Sequence, residues 1–191
     1  PEDIAHRAFG GIEPAAAERT HAGGRKDIAR LDDMVAQGLR RLADFQHADG
    51  GWGWWEKGET DRFMTAYVLW GLALARDAGV SVNADVVRRA SAFLDTALVK
   101  EEEQPDMQAW LLHAVAAARP PDAADAKPSK FQAAAFENLW KRRDSLNAFT
   151  RALLTLSAAA LGETAKARTL AAALENGVAL DEKPDASVVL D

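Results

Sequence analysis

The chain gathers many of its chemically versatile side chains into one short stretch, Gln46-His47 followed by the turn Asp49-Gly50-Gly51-Trp52-Gly53-Trp54-Trp55. Three indole rings beside a carboxylate and an amide could form an aromatic subsite for a sugar or a lipid. A structural role explains the same residues more simply. Gly50, Gly51 and Gly53 permit positive φ and so a tight reversal between layers. Trp52, Trp54 and Trp55 supply apolar area beside that reversal, and the Gln46 amide can satisfy backbone groups that the turn leaves unpaired. His47 could act as a ligand or base, but no second His or Asp stands at metal-binding spacing from it.

The other reactive residue types are dispersed. His113 falls on an apolar helical span, where a lone imidazole is expected as a hydrogen-bonded core residue; His6 and His21 fall in an irregular lead-in and are expected to be solvated. Asp32-Asp33 lacks the further carboxylates of a diphosphate-binding motif and reads as a helix N-terminal pair facing the positive dipole end. Glu101-Glu102-Glu103 reads as a solvated edge, and one acidic run does not make the paired carboxylates of a glycosidase. Lys141-Arg142-Arg143 reads as a helix C-terminus. No glycine-rich phosphate loop, nucleophile elbow or Ser–His–Asp arrangement stands out. The 191 residues contain no Cys, which excludes disulfides, thiolate metal sites and a cysteine nucleophile within them. A net charge of −6 with interspersed signs argues against a nucleic-acid partner. No span is apolar for long enough to cross a bilayer, no signal peptide is visible, and neither a cofactor nor a metal is expected.

The elements that must position these residues read as helices. Apolar residues make up 48% of the chain with alanine prominent among them, and β-branched runs are scarce. Residues 1–30 form the lead-in, interrupted by Gly10-Gly11, Pro14 and Gly23-Gly24. From Leu31, the positions Leu31, Met34, Val35, Gly38, Leu39, Leu42 and Phe45 make one apolar stripe. Thr60-Asp61 reads as an N-cap for a second helix, apolar nearly all round and ended by Gly79. The contrast recurs: Val86 to Leu98 is striped, and Met107 to Ala118 is apolar all round until Pro120-Pro121. Phe131, Ala134, Ala135 and Leu139 stripe the next helix. Leu146 to Leu161 is mostly apolar, Glu163 to Glu175 is striped before Gly177, and the tail has no helical period.

A helix apolar around its circumference must be surrounded by protein. The order therefore implies two layers of alternating outer and inner antiparallel helices. The inner spans overlay as Met64-Thr65-Ala66-Tyr67, Met107-Gln108-Ala109-Trp110 and Asn147-Ala148-Phe149, at steps of about forty residues, as in stacked repeats. The period fits an open solenoid as well as a ring. The last striped helix lacks an inner partner, so the fold reads as incomplete and its open apolar faces predict self-association.

The segment from Leu39 to Ala75 resembles the thioester-containing domain of the bacterial alpha-2-macroglobulin family, relatives of the complement components. In that family a helix ending in a Phe-Gln or Leu-Gln pair precedes an Asp-Gly-Gly-Trp turn and a helix opening with Thr-Ala-Tyr. Here these are Phe45-Gln46, Asp49-Gly50-Gly51-Trp52 and Thr65-Ala66-Tyr67. Asp106-Met-Gln-Ala-Trp110 and Ala152-Leu-Leu-Thr-Leu156 are similar in looser form, so the resemblance covers Met34 to Gly177. It implies an all-α fold, a partial α/α toroid over residues 31–191. The implied function is protease trapping, in which a Cys–Gln thioester acylates the captured protease. Gln46, Asp49, Gly50, Gly51, Trp52, Trp54, Trp55 and Tyr67 are the turn and the aromatics that would border the thioester.

The Cys-x-Glu-Gln motif itself is not in this chain. In the family it lies a few tens of residues upstream, and some members lack it. Some relatives also use a His near the start of the helix matching Asp106 to Ala118; none stands there, so no catalytic residue is carried over. The resemblance implies a non-catalytic fragment of a broad-spectrum protease inhibitor. Its partners would be the remaining domains of its own polypeptide and target proteases, with no direct membrane insertion. Its location would be the periplasm or the cell surface. The rival is an enzyme on a similar toroid, a terpenoid cyclase, prenyltransferase or glycan-processing enzyme. Against it stand the missing Asp-x-Asp-Asp motif and the missing zinc-ligand Cys.

Overall fold

Alanine- and leucine-rich spans become helices here, and Gly and Pro set their ends. The computed structural model describes residues 20–120, 127–180 and 188–190, with side chains over 30–120 and 127–177. The chain divides into two compact units, Pro1–Asp44 and Phe45–Asp191. In the first, α1 spans Thr20–Asp44. Its start corrects the sequence reading, because Thr20 to Arg30 are helical and not part of an irregular lead-in. Each Gly in a helix costs only about 1 kcal/mol relative to Ala, so the Gly23-Gly24 pair weakens the helix without ending it. Asp32 and Asp33 consequently sit inside α1 rather than at its N-terminus. Leu31, Met34 and Val35 are exposed on it. His6 lies outside the described residues, as does the side chain of His21.

The second unit holds α2 (Arg62–Asp77), α3 (Ala84–Lys100), α4 (Pro105–Ala117), α5 (Lys130–Lys141), α6 (Ala148–Ala160) and α7 (Thr164–Asn176), with a 3-10 turn over Arg143–Ser145. Local chemistry explains the boundaries. Asp61, Asn83, Ser129 and Asn147 each accept hydrogen bonds from first-turn amides, and Pro105 occupies the first turn of α4. Gly79 and Gly162 take positive φ past the ends of α2 and α6. Lys141 lies in the last turn of α5, as read from its basic run. After α7 the chain forms a two-stranded antiparallel pair, β1 (Val178–Leu180) and β2 (Val188–Leu190), with Val178 opposite Leu190.

Packing sorts the helices into two layers. α2, α4 and α6 lie side by side as the inner layer, and α3 packs on both α5 and α2 as part of the outer one. α5 also packs on α4, and α7 on α6. The expected all-α, partial α/α-toroid fold with alternating antiparallel helices is therefore present, with one short strand pair added at its end. Between α5 and α7, the stacked rings of Phe136 and Trp140 take the Lys166 ammonium over them at 5.0 and 5.5 Å.

Inner helices are not wrapped equally. α4 buries Gln108, Ala109, Leu111, Leu112, Ala114, Val115 and Ala116. Its flanking neighbours each leave one stripe open: Phe63, Tyr67 and Leu74 on α2, and Phe149 and Leu156 on α6, are exposed. This corrects the expectation of helices enclosed on every side. An inner layer meets outer helices on one face only, so its other face stays open unless something else covers it.

Polar ties link neighbouring helices. The Arg76 guanidinium donates to Ala117 O, Ala118 O and Arg119 O at 2.9–3.0 Å, satisfying the carbonyl end of α4. Gln108 Nε2 donates to Leu98 O at 2.9 Å, and Asn138 Nδ2 donates to Gln108 Oε1 at 2.7 Å. Gln132 Nε2 donates to Asp95 Oδ1 at 3.0 Å. Glu101 corrects a second reading. It is buried, 3% exposed, and its Oε1 meets Arg62 Nε at 2.8 Å. The turn after α3 carries it against the start of α2, so of the acidic run only Glu102 and Glu103 are exposed.

Candidate functional site

The Asp49–Trp55 turn is held by the side chains that flank it. Gln46 Nε2 donates to Gly50 O at 2.8 Å and to Val86 O at 2.9 Å, while its Oε1 accepts from Arg89 Nη2. The amide therefore performs the role read from the sequence and also ties the turn to the start of α3. Asp49 Oδ1 accepts from Gly51 N at 3.1 Å, closing a local turn. His47 Nδ1 shares a hydrogen bond with Thr60 Oγ1 at 2.8 Å, which binds the two ends of the loop together.

Glycine is needed here for two different reasons. Of the three turn glycines, only Gly50 has positive φ, at 95°. At Gly51 a Cβ would lie 2.2 Å from Thr60 Cγ2 and 2.7 Å from Thr65 Oγ1. At Gly53 it would lie 2.3 Å from Glu59 O. Close approach, not φ, requires the second and third glycines.

Thr65 explains why the turn and the Thr-Ala-Tyr opening of α2 belong together. Its Oγ1 accepts from Trp52 N at 2.9 Å and stands 2.7 Å from Asp61 O, the acceptor nearest its proton. Asp61 N donates to Trp52 O at 2.9 Å in an isolated antiparallel bridge. Thr65 and Ala66 are completely buried, and Trp52 is nearly so at 3% exposure. Trp54 and Trp55, by contrast, are 65% and 80% exposed. The three indoles were expected to act alike beside the turn, yet only Trp52 packs in it.

Tyr67 points the other way along the same motif and joins a group of rings on the inner layer. Phe63 and Trp110 centroids are 5.7 Å apart, Trp70 and Trp110 also 5.7 Å, and Tyr67 and Trp70 6.4 Å. His113 packs against Trp70 and Trp110 at 6.1 and 6.3 Å, and burial lowers its pKa from 6.5. Phe63, Tyr67, Asp106, Met107, Trp110 and Phe149 line an open recess of about 310 Å³. Asp106 Oδ1 at its edge accepts from Asn147 Nδ2 at 3.0 Å and from the Thr150 hydroxyl.

Sequence reading found Tyr67, Trp110 and Phe149 by overlay but set the third in the wrong register. Asp61, Gln104 and Asn147 cap the three inner helices at even spacing. By that count Phe149 corresponds to Phe63, one turn before the Tyr67 position. A shift of one turn keeps a side chain on the same face, so all three rings still meet. Asp106 and Phe63 were not singled out as lining residues. The even spacing of the caps was the signal that could have found Phe63. Among the described residues no group of His, Asp or Glu is arranged to hold a metal ion, and no helix is long and apolar enough to cross a membrane.

A two-layer helical unit with an aromatic recess on its inner face defines the class, an α/α-toroid segment. Comparison with known proteins agrees. No family model matches the chain. The alpha-2-macroglobulin of Thermotoga maritima is 41% identical over 68 residues, 36% of this chain and 4% of that protein. In native alpha-2-macroglobulin from Escherichia coli, solved from domain MG7 to the C-terminus, a region matches with TM-score 0.59 and 20% identity, covering 77% of this chain and 24% of that one. The whole native molecule gives 0.54 at 21% identity, over 83% and 10%. Its trypsin-activated form gives 0.52 at 21% identity, over 72% and 10%. The chain is thus similar to a part of the bacterial alpha-2-macroglobulins, as the resemblance read from Phe45-Gln46, the turn and Thr65-Ala66-Tyr67 implied. It spans only a small part of their length.

Proposed function

We propose that this chain is part of the helical domain of a bacterial alpha-2-macroglobulin-like protease trap, and that it performs no catalysis itself. The observation carrying this reading is the coupling of the turn to α2 through Thr65. In this reading the residues on which the resemblance was read are also those that fix the geometry of the turn. Gln46, Asp49, Gly50, Gly51 and Trp52 form the frame in this reading. Trp54, Trp55 and Tyr67 are exposed aromatics that border an acyl-donating thioester carried elsewhere in the polypeptide. Its partners are the other domains of that polypeptide and attacking proteases, and its place is the periplasm or the cell surface.

The test uses the whole parent polypeptide mixed with a series of unrelated endopeptidases. A trap leaves cleavage of a small peptide substrate intact while cleavage of a large protein substrate falls. Equal inhibition of both substrates, or of neither, overturns the reading. Tyr67→Ala in that polypeptide is expected to speed thiol release by methylamine, because a border residue that excludes water has been removed. An unchanged rate, or no thiol released from either protein, removes the thioester-border role.

A further inference from the structure

We propose that the recess between α2, α4 and α6 is a binding site for a weakly hydrated organic cation, specifically a quaternary ammonium head group. Four of its six lining residues are aromatic: Phe63, Tyr67, Trp110 and Phe149. A ring presents a negative face to a cation, and aromatic rings grouped around a hollow are the arrangement that recognises alkylammonium groups. The fifth, Met107, adds a polarizable thioether. The sixth, Asp106, is the lone charged residue among them, and it is an acid.

Two details fix the sign of the preferred ligand. The donors to Asp106 Oδ1 are an amide and a hydroxyl, both neutral, and among the described residues no Lys, Arg or His forms an ion pair with this carboxylate. Nor does any Lys or Arg line the recess. An anion would meet an almost wholly apolar wall with the negative Asp106 carboxylate beside it.

Hydration then distinguishes between cations. A primary ammonium is a compact, strongly hydrated charge with three donors. The recess wall is almost wholly apolar, with too few acceptors to replace its water. A trimethylammonium group spreads its charge over methyl groups and has no donor to satisfy, so it loses little on entering. A volume of about 310 Å³ is at the small end of ligand pockets and suits such a head group. The assignment shares Tyr67 with the protease-trap reading but rests on separate observations, the grouped rings and the Asp106 carboxylate.

The test titrates the full chain at constant ionic strength with choline, with the neutral isostere 3,3-dimethylbutan-1-ol, and with butylammonium. Indole fluorescence and ligand-line NMR follow the binding. Choline is expected to bind saturably and about tenfold more tightly than the isostere, within the range of a desolvated cation–π contact. Butylammonium is expected to bind more weakly than choline. Asp106→Asn retains an oxygen for Asn147 and Thr150 but removes the charge, and should weaken choline severalfold while leaving the isostere unchanged. Phe149→Ala, at an exposed ring, should weaken choline without loss of helical circular dichroism. Equal affinity for choline and the isostere overturns the proposal in favour of a plain apolar hollow. Tighter binding of butylammonium, no saturable choline binding, or indifference to both substitutions overturns it too.

Discussion

α4 and α6 have the same length and similar alanine- and leucine-rich composition, yet only α4 is enclosed nearly all round. α4 lies between two inner neighbours and touches outer helices as well; α6 has α4 on one side and α7 beyond it. α2, with Phe63, Tyr67 and Leu74 exposed, resembles α6 in this respect. Burial in a layered fold is thus set by rank within the layer more than by the hydrophobicity of the element itself.

The sharpest way to break this comparison is to cut the same side chain in both settings. Leu112 on α4 is completely buried, and Leu156 on α6 is 54% exposed. Leu112→Ala should cost about 2–5 kcal/mol of unfolding free energy, as cavity formation does. Leu156→Ala should remain within about 0.5 kcal/mol of the parent. Urea denaturation of both variants checks this, and equal losses would mean that the open stripe of α6 is packed against something.

A smaller contrast separates the turn from the helix that follows it. Gly51→Ala places a methyl against Thr60 and Thr65 and should lose about 1–3 kcal/mol through overpacking and the broken Thr65 tie. Gly71→Ala, inside α2 with nothing within 4 Å of the new methyl, should gain up to about 1 kcal/mol. Thermal melts of the two should move in opposite directions.

The smallest effect concerns His113, on the less buried stripe of α4. Burial lowers its pKa in the folded state, so the unfolded chain takes up a proton first as pH falls. Its contribution is therefore complete above the ordinary value of 6.5 and shrinks as pH drops toward the lowered folded value. Melting temperature followed from pH 8 downward should decline less in His113→Phe than in the parent. Identical profiles would show that the ring is not shielded as its contacts with Trp70 and Trp110 imply.

Much of this molecule was legible from residue order. The helices from Arg62 onward follow from caps, periodic apolar residues and terminal Gly or Pro, all of them local signals. Gln46 was readable because a turn rich in Gly leaves backbone groups that an adjacent amide can reach. What escaped depends on distance in space. Glu101 looks solvated within its acidic run, and only the approach of Arg62 reveals it as buried. The partnership of Gln46 with Arg89 and the Arg76 clamp on α4 join residues far apart in sequence that no periodicity connects. Trp54 and Trp55 could not be told from Trp52 by type, because residue type does not say which way each side chain points as the chain turns.

The inter-helix ties carry one more consequence, for how the chain reaches this arrangement. The side-chain bonds joining Gln46 to Val86, Arg76 to Ala118, Asn138 to Gln108 and Thr150 to Asp106 bridge sequence separations of 30 to 44 residues. Each closes a loop of about one hairpin, so assembly can zip forward hairpin by hairpin without waiting for distant ends to meet. Such short closures belong to rapid folders, in which each completed pair templates the next.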